Sequence, residues 1–498
     1  MKHHALLDII RGGDCTVLGY GVSNRPLVEW LLGHGARTVT VRDGRPLADM
    51  EASGDKAALD ALGVTLVCGE AYLSGLGGDI VFRTPGMRPD LPAIKAAAEA
   101  GAVLSSEMEL FLALTDARVM AISGSDGKTT TTTLTSLILT EACKRRGYGK
   151  VYLGGNIGTP LLSFAEGMTT DDFAVVELSS FQLMSMGSGA PVTRGALTNI
   201  TPNHLNWHTD MAEYVAAKAH LLQGEGLEAA VLNGRDGHTR EIGEGLTCPV
   251  TWFTGERDLP RGYLPDTVNP ARRDTAVYER EGSIVIATPT ADGVTETPVL
   301  DVTRIRLPGR HNVENFMTAI ALTGGYATPA DVAAVADVFT GVPHRLELVR
   351  EIPREGGAIR FYNSSIDSSP TRSVAALSAM DETNRREGRR PPTVICGGQD
   401  KHVPFDPLAD GLCAMAAAVI LTGEARDQIL DALRRCPAYD PARLPVTVIP
   451  DYREAMRTAC ETAKDGDTVL LSPACTSFDA FKNFAERGEV FRAIVKEV

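Results

Sequence analysis

Short apolar runs bounded by glycine-rich or polar turns recur along the chain, and most are followed by a stretch with helical spacing. Residues 14–18 form one such run, residues 25–33 read as a helix, and residues 38–41 form a second run. Residues 80–82 and the helical stretch 91–100 continue the pattern. The runs 119–122, 173–177 and 196–200 predict a second set of strands, with helices opening at Lys128 and at residues 214–222. A third set lies at 359–362, 393–396, 418–421, 446–449 and 468–471. Continuous apolar runs rather than alternating ones suit strands buried on both faces, and helices between them predict parallel sheets. The expectation is an α/β protein of three domains. They are a Rossmann-like domain over 1–114, a central P-loop-type ATPase domain over 115–341 and a Rossmann-like domain over 342–498. Residues 234–300 are polar and read as irregular.

Length agrees, since 498 residues suit about three domains of roughly 150 residues. A composition of 44% hydrophobic and 22% charged residues is that of an ordinary globular chain. No apolar run is long enough to span a bilayer, and the opening residues lack the apolar core of a secretory signal. The nine scattered cysteines, with no C-x-x-C pair, suit reduced thiols in a cytoplasm. A net charge of −14 argues against a general nucleic-acid binder.

The candidate chemistry sits in the turns. Gly124, Ser125, Asp126, Gly127, Lys128, Thr129 and Thr130 follow an apolar run and open a helix. Backbone N–H groups in such a turn cradle phosphate oxygens, a lysine reaches the outer phosphates and a hydroxyl holds Mg²⁺. The strict phosphate-loop pattern misses one glycine, because Ile122 stands in its first position. Gly19-Tyr-Gly-Val-Ser-Asn24 follows the first strand, but Asn24 replaces the third glycine of a dinucleotide turn. With Asp43 after the second strand it reads either as a nucleotide turn without redox use or as a plain βαβ turn. Asn156 lies in a Gly-Gly-Asn-Ile-Gly turn, and Glu177 ends a strand, where an acid reaches a phosphate-bound Mg²⁺. His204 precedes Tyr214 and Lys218, while Asn312 and Asn315 share a helix face. Cys475 reads as a buried thiol, since no histidine neighbours it in sequence.

Taken together these turns resemble the Mur ligases, ATP-dependent enzymes that add amino acids during peptidoglycan synthesis. The runs 124–130, 177–183, 311–315 and 471–488, with His204, carry the resemblance over nearly the whole chain. The runs 177–183 and 471–488 are similar to the branch that adds D-glutamate to UDP-N-acetylmuramoyl-L-alanine through an acyl phosphate. The resemblance implies that Val22, Ser23, Asp43, Arg45 and the Thr84 turn hold the UDP end, with Asn156 nearer the muramoyl part. It implies ATP contacts from the 124–130 turn, Asn312, Asn315 and Arg345. It further implies two Mg²⁺ sites, drawing on Thr129, Glu177, His204 and a carbamylated Lys218. Ser368, Lys401, Ser477 and Phe484 would shape the amino-acid site. Lys128, His204 and Lys218 are the implied catalytic groups, in a cytoplasmic monomer whose domains close to exclude water. Two departures stand out. Asn363-Ser-Ser-Ile366 replaces the family's commoner Asn-Asp-Ser-Lys, and Asn206 stands two residues after His204 where aspartate is usual. The rival readings are a related ligase for another amino acid, a folylpolyglutamate synthase, and a non-catalytic nucleotide-binding regulator.

Overall fold

The computed structural model describes residues 3–187, 189–400 and 403–498. The chain forms two compact units, Met1–Asp301 with Glu314–Val335, and Val302–Val313 with Ala336–Val498.

The first unit holds two sheets. One comprises β1 (Asp14–Leu18), β2 (Thr38–Asp43), β3 (Thr65–Cys68), β4 (Ile80–Phe82) and β5 (Val103–Ser105), in the order β3-β2-β1-β4-β5. Every pair is parallel, and the crossovers carry helices such as Asn24–Gly33 and Pro92–Glu99. Strand order reverses between β1 and β4, so the turns leaving those strands flank a crevice at their carboxyl ends. The other sheet comprises β6 (Arg118–Ser123), β7 (Val151–Gly155), β8 (Phe173–Glu177), β9 (Arg194–Leu197), β10 (Ala229–Asn233), β11 (Val250–Phe253), β12 (Thr275–Arg280), β13 (Ser283–Thr290) and β14 (Gly293–Asp301). Its order is β14-β13-β12-β11-β10-β9-β6-β8-β7. Strand β6 lies centrally, paired in parallel with β8 and β9. One hydrophobic cluster runs through both sheets, from Val17 and Phe82 to Ala121, Val176 and Leu197.

The stretch 234–300 corrects the expectation of an irregular segment. It carries the helix Gly237–Glu244 and strands β11 to β14. Strands β12, β13 and β14 form antiparallel hairpins, the first turning at Glu281 and Gly282, both with positive φ. Strand β14 is largely exposed, so its sequence holds too few apolar residues to announce it. The strand expected at 196–200 ends at Leu197, because Thr198 turns to bond Ser123 and Asp126 instead.

The second unit holds β15 (Glu347–Ile352), β16 (Ile359–Asn363), β17 (Thr393–Gly397), β18 (Ala418–Thr422), β19 (Val446–Val448) and β20 (Thr468–Leu471). Their order is β15-β16-β20-β17-β18-β19. The five expected strands are parallel, and β15 adds an antiparallel edge that the apolar pattern does not mark. The α/β class expected from the sequence is the class observed.

Candidate active site

Strand β6 delivers the chain into the turn 124–127, and the helix Lys128–Arg146 leaves it. Ile122, which breaks the strict motif, is a fully buried strand residue, and β6 runs on through Ser123, so the turn starts two residues later than the pattern assumes. Gly124 has φ 138° and Gly127 φ 81°. A Cβ on Gly124 would stand 1.9 Å from Thr198 Oγ1, and one on Gly127 2.5 Å from Asn315 Oδ1. Both positions therefore demand glycine on conformation and on space. The turn is tied down from the β9 side: Ser125 N–H donates to Asn199 O at 2.8 Å, and Asp126 N–H to Asn199 Oδ1 at 2.9 Å. Thr198 Oγ1 donates to Asp126 O at 2.6 Å, and Ser125 Oγ lies 2.9 Å from the Tyr214 hydroxyl. Thr131 Oγ1 donates to Asn315 Oδ1 at 3.2 Å, which places Asn315 against the turn as well.

Two of the sequence-predicted lysines, Lys128 and Lys218, converge on one carbonyl. Lys128 Nζ donates to Gly124 O at 3.0 Å and to Ser125 O at 2.9 Å. Lys218 Nζ, from the helix Met211–Ala219, donates to Gly124 O at 2.7 Å. Lys218 is 1% exposed. Burial, then the charge of Lys128, pushes its pKa well below the ordinary lysine value. Thr129 Oγ1 donates to Glu177 Oε2 at 2.7 Å, and Asn156 Nδ2 to Glu177 Oε1 at 2.9 Å. Thus Lys128, Thr129, Asn156, Glu177 and Lys218 share one locality at the carboxyl ends of β6, β7 and β8. The paired hydroxyl and carboxylate are hard oxygen donors of the kind Mg²⁺ prefers. Among the described residues, no group of three or more His, Cys, Asp or Glu side chains is arranged to hold a metal.

His204 is exposed, has φ 55°, and stands edge-on to the Phe181 ring with centroids 4.9 Å apart. Its carbonyl accepts from the N–H groups of Trp207 and His208, each at 2.9 Å, closing the loop that carries it.

At the first sheet, Asp43 ends β2 beside the turn after β1. Its carboxylate accepts from Tyr20 N–H at 2.8 Å, from Arg45 N–H at 2.9 Å and from Arg45 Nη2 at 2.9 Å. Burial alone would raise this carboxyl; the Arg45 side chain and the two backbone donors outweigh it and hold it at about 2. Arg45 also reaches Asp55 at 2.9 Å. Asn24, in the place of the third glycine, is buried and donates to Leu18 O and Gly19 O, each at 3.0 Å. Val22 is 73% exposed, and Ser23 immediately precedes the helix Asn24–Gly33 without a side-chain capping bond. The Thr84 side chain lies beside Gly19.

In the second unit, Asn312 Nδ2 donates to Pro308 O at 2.6 Å, and Arg345 is exposed. Ser477 is buried, Phe484 is 39% exposed, and Ser368 is half-buried. Lys401 lies outside the described residues. Asp367 follows the departed turn; burial, only partly offset by the Ser364 and Ser472 hydroxyls, pushes its carboxyl up to about 6.

Sequence reasoning gave no role to the residues that hold these turns. Thr198 and Asn199 secure the phosphate turn from more than seventy residues away. Arg487, fully buried, donates to Ser365 Oγ and O, Cys475 O and Thr476 O at 2.9–3.1 Å. It thereby locks the turns after β16 and β20 together. Its place inside the specific run 471–488 was the available signal.

Residues 122–323 match the Mur ligase middle domain, and residues 344–475 match the Mur ligase, glutamate ligase domain. The chain is 38% identical over 495 residues to a UDP-N-acetylmuramoylalanine--D-glutamate ligase of Clostridium novyi, covering 99% of this chain and 98% of that protein. It is 38% identical over 493 residues to the protein of the same name from Acetivibrio thermocellus, covering 98% and 97%. Among solved structures, a UDP-N-acetylmuramate-alanine ligase from Thermotoga maritima aligns with TM-score 0.53 at 17% identity, over 97% of this chain and 99% of that one. A UDP-N-acetylmuramoyl-L-alanyl-D-glutamate--2,6-diaminopimelate ligase aligns equally well, with TM-score 0.53 at 17% identity, over 97% and 92%. At that identity the structural likeness speaks for the fold.

Proposed function

We propose, from the premise that this chain belongs to the Mur ligase family, that it is an ATP-dependent ligase joining D-glutamate to UDP-N-acetylmuramoyl-L-alanine in peptidoglycan precursor synthesis. The observation that carries the reading is the meeting of Lys128, Thr129, Glu177 and Lys218 around the Gly124 turn. Relatives of that name, matching over nearly the full length, support the choice of substrate.

A carboxylate does not accept an amine, because negative charge shields its carbon and oxide is a hopeless leaving group. Phosphorylation from ATP turns it into an acyl phosphate, and glutamate's amine then displaces phosphate. Catalysis is mostly positioning and charge neutralisation. No protein nucleophile is needed. The turn 124–130 fits a triphosphate because the helix Lys128–Arg146 begins there and its N-terminal end favours phosphate oxygens, with Ser125 and Asp126 N–H held by Asn199. Lys128 exchanges its bonds to Gly124 and Ser125 for phosphate oxygens. Mg²⁺, when bound, neutralises charge on the phosphate and carboxylate oxygens. Thr129 and Glu177 would hold one ion, with Asn156 orienting the Glu177 carboxylate. Lys218 and His204 would serve the second.

Burial lowers the Lys218 pKa and so favours the neutral amine, the form that reacts with CO₂, which supports a carbamate there. Lys218→Ala should abolish activity and regain part of it with short carboxylates such as acetate; full activity without any additive would exclude the carbamate. Val22, Ser23, Asp43, Arg45 and the Thr84 turn are assigned to the UDP end. Asn312, Asn315 and Arg345 are assigned to ATP, and Ser368, Lys401, Ser477 and Phe484 to the amino acid. The three sheets support domain boundaries at 1–114, 115–341 and 342–498. The scattered cysteines suit a cytoplasm, a monomer is the assembly proposed, and no helix among the described residues is long and apolar enough to cross a membrane. The deciding assay is ADP formation from ATP with UDP-N-acetylmuramoyl-L-alanine and either glutamate enantiomer. Turnover with D-glutamate alone is expected; turnover only with another amino acid would move the chain to a different branch.

A further inference from the structure

We propose that His208, braced by Glu213 and Arg88, is a positioning residue that fixes the His204 loop between the Glu177 segment and the turn after β4. This rests on the reading of His204 and Lys218 as cation-site residues. The His208 side chain is fully buried. Its Nε2 lies 2.9 Å from Ser180 Oγ, three residues after Glu177, and its Nδ1 lies 3.3 Å from Glu213 Oε2. Its own N–H donates to His204 O at 2.9 Å. Glu213 stands one turn before Lys218 on the same helix. One ring therefore ties together the loop of His204, the helix of Lys218 and the segment of Glu177.

The network continues into the first sheet. Arg88 grips Glu213 through two bonds of 3.0 and 3.1 Å, donates to Trp207 O at 2.5 Å, and lies over the Trp207 ring at 5.0 Å. Trp207 Nε1 donates to Gly86 O at 2.9 Å, within the turn that begins at Thr84. With Glu213 paired to Arg88, its carboxylate faces Nδ1 at 3.3 Å, an ion-pair distance without hydrogen-bond geometry, while Nε2 pairs with the Ser180 hydroxyl. Burial lowers the ring's pKa, against the opposing charge of Glu213. The Ser-His-Glu order does not make a hydrolytic triad, since Ser180 is 3% exposed. The strained φ of 55° at His204 is what such bracing sustains.

The test uses the full chain with His208→Phe, His208→Asn, Arg88→Gln and the control His204→Ala. Without ligands, hydrogen exchange at the Trp207 and His208 amides should quicken at least about 10-fold in His208→Phe, while the rest of the central sheet stays protected. The Mg²⁺ concentration giving half-maximal phosphate release should rise roughly 10–100-fold, the usual effect of removing a partner that orients a ligand. KM for D-glutamate should stay within about 2-fold, as the cost of a lost brace falls on the cation. His208→Asn, which keeps an amide near the Nδ1 position, should recover much of the loss. Should His208→Phe prove too unstable, Arg88→Gln is expected to show the same exchange and Mg²⁺ pattern more weakly. Unchanged exchange and Mg²⁺ dependence in folded His208→Phe, with His204→Ala inactive, overturns the proposal alone. Full activity of His204→Ala instead overturns the cation-site reading beneath it.

Discussion

Two turns of the first unit look alike in sequence and are held in opposite ways. The turn after β6, Gly124 to Thr129, is secured from outside by Thr198, Asn199, Tyr214 and Asn315. The turn after β1, Gly19 to Asn24, is secured largely from within, by the Asn24 amide on Leu18 O and Gly19 O, with Asp43 as its outside brace. Each lacks one glycine of its pattern, and each lack has a different meaning. Ile122 extends a buried strand, whereas Asn24 supplies a side-chain clamp where a third glycine would have brought helix and strand into contact. A motif's glycines are thus of two kinds, those that neighbouring atoms forbid to carry a Cβ and those that leave room for a ligand. Substitutions separate the two.

The largest effect is expected at Lys128, the lysine proposed to reach the outer phosphates. Lys128→Ala should lower phosphate release by at least about 10³-fold, the scale of removing one preorganised charge from a phosphoryl-transfer site. Calorimetry should show UDP-N-acetylmuramoyl-L-alanine still binding within a few-fold of wild type, because the UDP end is proposed for the turns of the first sheet. Near-normal release in this variant would mean that the turn is scaffold.

Next comes Gly124→Ala. The added methyl would sit 1.9 Å from Thr198 Oγ1 at φ 138°, so the turn cannot keep its shape. A loss of about 3 kcal/mol or more is expected in the unfolding of the first unit, read by urea denaturation. A loss below about 1 kcal/mol would show that the outside grip on this turn is loose.

These contrasts mark what was legible in the sequence. Buried parallel strands read as continuous apolar runs, so β1, β4, β6, β8 and the parallel strands of the second unit announced themselves. Strands β10 to β14 did not: β14 is mostly exposed, and the short buried runs of β10 to β13 stand among polar residues that hide them; β15 is an antiparallel edge strand with charged positions. Lys128, Glu177 and Lys218 were legible because glycine, a strand end or a helix interior makes a charged residue conspicuous. Their holders were not: Thr198, Asn199, His208 and Arg487 are common residue types whose partners lie far off in sequence. Nor could local pattern show that Lys128 and Lys218 meet on the Gly124 carbonyl, ninety residues apart along the chain.

A smaller effect is expected from Asn24→Ala. The buried amide makes two bonds that alanine cannot, leaving Leu18 O and Gly19 O short of a donor. The expected cost is about 1–3 kcal/mol, with UDP-substrate affinity falling as the turn loosens. Asn24→Gly tests the clamp directly. If this turn followed the dinucleotide pattern, glycine would restore it; the structure expects glycine to be no better than alanine.

The smallest expected effect on stability is the most informative about ligand. Gly21 has no atom within 4 Å of where a Cβ would stand, and its φ is not in the left-handed region. Gly21→Ala should therefore change stability by less than about 0.5 kcal/mol. If a UDP phosphate approaches this turn, the same methyl intrudes on it, and affinity for UDP-N-acetylmuramoyl-L-alanine should drop about 10-fold, or roughly 1.4 kcal/mol. KM for ATP should not move, because the phosphate turn lies after a different strand of a different sheet. Unchanged substrate affinity would assign the open space around Gly21 to solvent. Asp43 and Arg45 would then be braces of a plain βαβ turn, and the UDP end would have to be sought elsewhere on the crevice between β1 and β4.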